Sequence, residues 1–136
     1  MKIRTCALLA ATLLTTALPA LAATPSARGE ARLAKALDGR VPGKPVRCLN
    51  LRDINSTEII DGTGILYRVG ANRLYLNRPQ IGRESLDDND ILVTRTIGSQ
   101  LCSIDTVRLI DRTSRIYNGF VSLGDFVPYT KPIKQR

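Results

Sequence analysis

Carboxylates are the groups best placed to do chemistry in this 136-residue chain, because it contains no histidine. Without imidazole there is no Ser-His or Cys-His nucleophile pair and no ordinary zinc site, which removes most familiar hydrolases. Asp53, Glu58, Asp61, Asp105 and Asp111 fall in or near stretches that read as strands. Two facing carboxylates suffice for glycoside hydrolysis, but nothing in the spacing selects a pair. The plainer reading makes these residues turn caps and partners for nearby arginines, so no catalytic residue is assigned.

Glu84, Asp87, Asp88 and Asp90 form a denser acidic run in a stretch punctuated by Pro79 and Gly82. Calcium takes several carboxylate oxygens, which makes this loop the candidate metal site. It lacks the central glycine and terminal glutamate of an EF-hand, and a solvated loop is the plainer reading. Arg95 is the candidate anion-binding residue. Strict alternation sets it on one strand face with Val93 and Ile97, either buried against an anion or partner carboxylate, or on a strand that bulges or lies at an edge. No cofactor is expected.

The first 22 residues read as a cleavable secretory signal. Lys2 and Arg4 supply the positive end, Ala7 to Leu18 the apolar run, and Ala20-Leu21-Ala22 the small residues at the cleavage point. The apolar run is shorter than the roughly 20 residues that span a bilayer, so no transmembrane segment is expected in the mature form. Cys6 is discarded with the signal, and no cysteine is left at the new terminus to carry a lipid. Cleavage leaves 114 residues and lowers the net charge from +8 to +6, since Lys2 and Arg4 go and no acidic residue does. In an oxidising compartment Cys48 and Cys102 are then the one intramolecular pair available. Their bridge closes a loop of about 55 residues and contributes roughly 3 to 5 kcal/mol on the chain-entropy model, a structural role. A redox or metal-binding role lacks both C-x-x-C spacing and further ligands.

The mature basic residues are 14 Arg and 4 Lys, and Arg suits bidentate contact with phosphate or carboxylate. Export disfavours nucleic acid, as does the lack of aromatics interleaved with the basic residues. The expected partner is an anionic envelope component or another exported protein, met in the periplasm or after secretion. The plainer role of the charge is solubility. Asn55-Ser56-Thr57 matches a glycosylation acceptor, which has meaning only in a host that glycosylates its exports.

Around these residues the sequence predicts a mainly β domain over 47–130, of about five to six strands, as an antiparallel sheet or barrel or as a sandwich. An N-terminal extension over 23–46 precedes it and a basic tail over 131–136 follows. In the extension, 23–28 reads as disordered, Glu30 to Asp38 as a short helix with Leu33 and Leu37 on one side, and Val41 to Val46 as an irregular connector with two prolines. Strands are expected over Ser56 to Asp61, Gly64 to Val69, Arg73 to Asn77, Ile91 to Ile97 and Leu101 to Asp111. Asn118-Gly119 reads as a hairpin turn leading to a last strand through Phe120, Val121, Leu123, Phe126 and Val127.

Several short runs, by their order and spacing over 47–130, resemble a family of small bacterial exported proteins grouped as a domain of unknown function. They are Cys48-Leu49 with Leu51-Arg52-Asp53-Ile54, Ile59-Ile60-Asp61 to Tyr67, Tyr75-Leu76-Asn77, Leu101-Cys102-Ser103-Ile104-Asp105 and Leu123-Gly124-Asp125-Phe126. Members carry two further cysteines, for which this chain has a residue near Arg83 and Val121. Their joint absence implies that those two pair with each other and that the bridge kept here is Cys48 to Cys102. The resemblance implies no activity. Taken together, the residues point to an exported, non-enzymatic binding or structural β-domain, with a carboxylate-dependent glycan hydrolase as the alternative.

Overall fold

The alternation of Gly64–Val69 organises the molecule: Ile65 and Tyr67 face one core, and Leu66, between them, faces a second. Period-two alternation sends successive side chains to opposite sheet faces, and here both faces are apolar because both are covered. The computed structural model describes residues 25–132; the expected signal over 1–22 and the last four residues of the basic tail lie outside them.

Among the described residues one helix, α1 (Pro25–Ala36), is followed by ten strands. These are β1 (Val41–Pro42), β2 (Cys48–Asn50), β3 (Ile54–Ile60), β4 (Gly64–Val69), β5 (Arg73–Asn77), β6 (Asp90–Thr94), β7 (Gln100–Cys102), β8 (Thr106–Asp111), β9 (Tyr117–Ser122) and β10 (Phe126–Thr130). All pairings are antiparallel, in a five-stranded sheet of order β1-β10-β5-β4-β3, a two-stranded sheet β2-β7 and a three-stranded sheet β6-β8-β9. The fold is mainly β with a leading helix, as expected, although its strands are more numerous.

The main core lies between sheets. Ile59, Ile65, Tyr67, Tyr75 and Phe126 from the five-stranded sheet meet Val107, Leu109 and Val121 from the three-stranded one, and Leu49 and Leu101 from the small sheet. Tyr67 and Phe126 pack edge to face with centroids 5.5 Å apart, the geometry aromatic quadrupoles prefer. On the other side of the five-stranded sheet, Leu33 of α1 packs with Ile60, Leu66 and Leu76. Burying a leucine to this degree stabilises by roughly 1.5–3 kcal/mol. The layers are therefore helix, sheet, then the two smaller sheets.

Five segments depart from the sequence reading. The helix begins at Pro25 rather than Glu30, because proline suits a first helical turn, where its missing N–H is not needed. The connector, expected to be irregular because of its two prolines, places Val41–Pro42 in a pairing with β10. Leu101 to Asp111 is two strands in different sheets, split where the Asp105 carboxylate accepts the Cys102 N–H at 2.7 Å and closes a turn. Asn118-Gly119 lies inside β9 at a bulge between Leu109 and Ile110 of β8, not in a turn. The hairpin before β9 is built by Asp111, whose Oδ1 accepts the Ser114 N–H at 2.6 Å and the Thr113 N–H at 3.0 Å. The single last strand becomes β9 and β10, again in different sheets.

Candidate functional site

Three of the five carboxylates in or near strands, Asp61, Asp105 and Asp111, accept backbone N–H groups. Asp105 and Asp111 cap turns, and the donors around Asp111, the Ser114 N–H first, hold its carboxyl below the usual range. Asp53 is exposed in a 3-10 turn over Leu51–Asp53. Asn55, first residue of the acceptor pattern, uses its side-chain oxygen to accept the Gly70 N–H at 2.8 Å.

The acidic loop divides. Glu84 sits apart in the 3-10 turn Arg83–Ser85. Asp87 and Asp88 join Asp61, with ligand oxygens of the three within 4.8 Å of one another, all exposed. Asp61 Oδ1 also accepts the Asp88 N–H at 2.8 Å, so part of this gathering is backbone capping. Asp90 goes inward at the start of β6, where it is 2 % exposed and accepts from the Asn118 amide at 3.2 Å. Burial, ahead of the repulsion from Asp87 and Asp111, raises its carboxyl above the usual value despite the Asn118 bond. The four loop acids thus do not form one ligand set.

What does form is a groove of about 590 Å³ between β3 and β6, lined by Thr57, Glu58 and Ile59 on one side and Asp90, Ile91 and Leu92 on the other. Arg32 of α1 crosses one end, bonded to Asp88 at 2.8 Å and to Glu58 at 3.2 Å. The Asp88 bond is the chief reason its guanidinium is held more firmly protonated than usual. Two of the three carboxylates lining the groove are thereby paired with one cation.

Arg95 lies one residue beyond β6 and is exposed. The strand ends there because its partner β8 begins only at Thr106, so alternation does not carry through to Ile97, which is fully exposed. Arg95 shares a shallow hollow with Ile97, Ile104 and Asp105 beside Cys102. Cys48 and Cys102 stand directly opposite in β2 and β7, their sulfurs joined at 2.11 Å.

The outer face of the three-stranded sheet is the surface that sequence reading missed. Register places Val93, Arg108 and Phe120 side by side across β6, β8 and β9, with Ile91 and Ile110 in the next row. Val93 is 43 % exposed, Phe120 47 % and Tyr117 49 %. The Arg108 guanidinium stands 5.0 Å from the centroid of the Tyr117 ring, a cation–π distance. The signal was present in the alternation of Thr106, Arg108 and Ile110, but reading Asn118-Gly119 as a turn removed the strand that completes the face.

Among the described residues no helix is long and apolar enough to cross a membrane. In comparisons with protein-family models, curated proteins and solved structures, the chain matches none.

Proposed function

We propose that this chain is an exported, non-enzymatic domain of the cell envelope that binds another exported protein through the outer face of its three-stranded sheet. The observation that carries the reading is an asymmetry. One outer sheet face is closed by α1, whereas the opposite one leaves Val93, Tyr117 and Phe120 in water around Arg108. Contiguous exposed apolar surface rimmed by polar groups marks interaction sites, and Tyr, Phe and Arg are the types that concentrate binding energy in interface centres. An apolar row favours a protein over a purely anionic partner. Export through residues 1–22 and the family resemblance belong to the same proposal, supported by the joined cysteines, which suit an oxidising compartment.

A photo-crosslinking amino acid at Phe120 tests it in intact cells. The expected result is a discrete protein adduct, absent when the same group replaces exposed Arg68 on the other side of the molecule. Loss of the adduct on adding salt would instead identify an anionic partner. The hydrolase reading draws on Asp90, since a carboxyl whose burial favours protonation is what a general acid requires. It expects release of soluble glycan fragments by the purified protein, abolished in Asp90→Asn.

A further inference from the structure

Strand edges expose rows of unpaired N–H and C=O groups, and folded proteins manage them by keeping them short or covering them. This molecule does so at most of its edges. β1 has two residues and ends in Pro42. The outer edge of β9 is capped at its last residue, where the Gln80 N–H bonds the Ser122 carbonyl at 2.9 Å and the Ile81 carbonyl accepts the Ser122 N–H at 3.1 Å. β2 and β7 have three residues each, flanked by bonds from Leu51 N–H to the Ser99 carbonyl and from Ser103 N–H to the Arg47 carbonyl.

β3 over 56–59 and β6 over 91–94 have no such cap. Each is the last strand of its sheet, and among the described residues no backbone group bonds to 56–59 or 91–94 from outside those sheets. The two open edges border the same groove of about 590 Å³. Ile59 and Leu92, which belong to or pack on the main core, form its floor. Three residues of β3 and three of β6 line it, a span of about 10 Å at roughly 3.3 Å per residue. That accommodates three to four residues of an extended chain on the same count.

The charge of the rim says what kind of chain. Glu58, Asp88 and Asp90 line the groove; Asp61 and Asp87 stand against Asp88, and Asp111 is the register partner of Asp90. With Asp90 buried on the Asn118 amide and Asp111 capping the hairpin, the charged rim is Glu58, Asp61, Asp87 and Asp88, four carboxylates against Arg32 and Arg112 in a chain of net charge +8. We propose that the seam between β3 and β6 takes an extended, lysine- or arginine-containing segment of another exported protein as an added strand. Main-chain hydrogen bonds to both edges supply affinity and alternate side chains supply specificity, apolar ones toward Ile59 and Leu92 and basic ones toward the acidic rim. This surface is separate from the outer sheet face, and either can exist without the other.

A blocked hexapeptide of alternating valine and lysine is the probe, titrated into isotope-labelled full-length mature protein. Slowed amide exchange in 56–59 and 91–94 is expected, together with at least tenfold weaker binding when glutamate replaces lysine in the peptide. Thr57→Lys, an exposed edge change, should weaken binding by a similar factor, whereas Phe120→Ser should leave it unaltered. The idea fails if the glutamate peptide binds as well, if protection appears on the outer sheet face instead, or if millimolar peptide leaves both edges exchanging as before.

Discussion

At the residue scale the most informative group is Asn77. It is fully buried, donates its amide to the Gly124 carbonyl at 2.6 Å and accepts the Gly124 N–H at 3.1 Å. The asparagine that ends Tyr75-Leu76-Asn77 and the glycine inside Leu123-Gly124-Asp125-Phe126 are thus two halves of one device. Asn77→Leu leaves a buried donor and acceptor unpaired and should cost about 2–4 kcal/mol in urea unfolding. A loss below about 0.5 kcal/mol, the usual size of a surface change, would mean water replaces the amide. Asp90 makes the opposite case. Burial chiefly raises its carboxyl, so its protonated form fits the fold better. A raised carboxyl contributes stability below its unfolded value, and that contribution is lost as pH rises through the raised value. Asp90→Asn should therefore move the urea midpoint upward at neutral pH, with the gain shrinking toward zero below about pH 4. An equal shift at all pH values would assign the effect to packing instead.

At the scale of elements, α1 depends on how closely it approaches the turn after β3. Gly29 is buried, and a Cβ there would run into the Thr63 hydroxyl and the Asp61 carbonyl. Neither is the far end of a flexible side chain, so Gly29→Ala must lift the helix. The Leu33 burial behind it and the bidentate Glu30–Arg78 pair, at 2.6 and 2.9 Å, then weaken together. The expected loss is about 2–4 kcal/mol, with proteolysis near the helix rising as the test. Retention of full stability would show that α1 only rests on the sheet. The sequence made this helix legible through Leu33 and Leu37, and made β4 and β5 legible through clean alternation. It hid the helix contact because the helix reads from Glu30 on, which leaves Gly29 outside it and gives no sign of close approach. The same limit explains Asn118-Gly119. That dipeptide is the strongest short hairpin signal, but the actual turn is made by Asp111 side-chain bonds, with Arg115 taking the left-handed conformation at φ 61°. The groove was invisible for another reason: Glu58, Asp61, Asp88 and Arg32 meet through sheet topology, across 26 to 56 residues of chain.

At the scale of the whole molecule, the disulfide decides whether three sheets share one core. Leu49 and Leu101, both nearly fully buried, enter that core from a two-stranded sheet with only three register pairs. An isolated two-stranded ribbon is marginal in water, so β2 and β7 rely on the Cys48–Cys102 bridge together with the burial of Leu49 and Leu101. The bridge spans 54 positions and encloses β3 to β6, which makes the entropy it removes from the unfolded chain large, about 4 kcal/mol on the loop-closure model. A Cys48→Ser, Cys102→Ser double variant should lose about 3–4 kcal/mol in urea unfolding. Wild-type protein under reductant should fall to the same value, its mass higher by two hydrogens. The small sheet should open first, with amides of 48–50 and 100–102 exchanging faster than those of β4 and β5, whose neighbours on both sides are unaffected. If those amides stay protected while global stability falls, the bridge acts on the unfolded chain alone and the small sheet stands by its own packing.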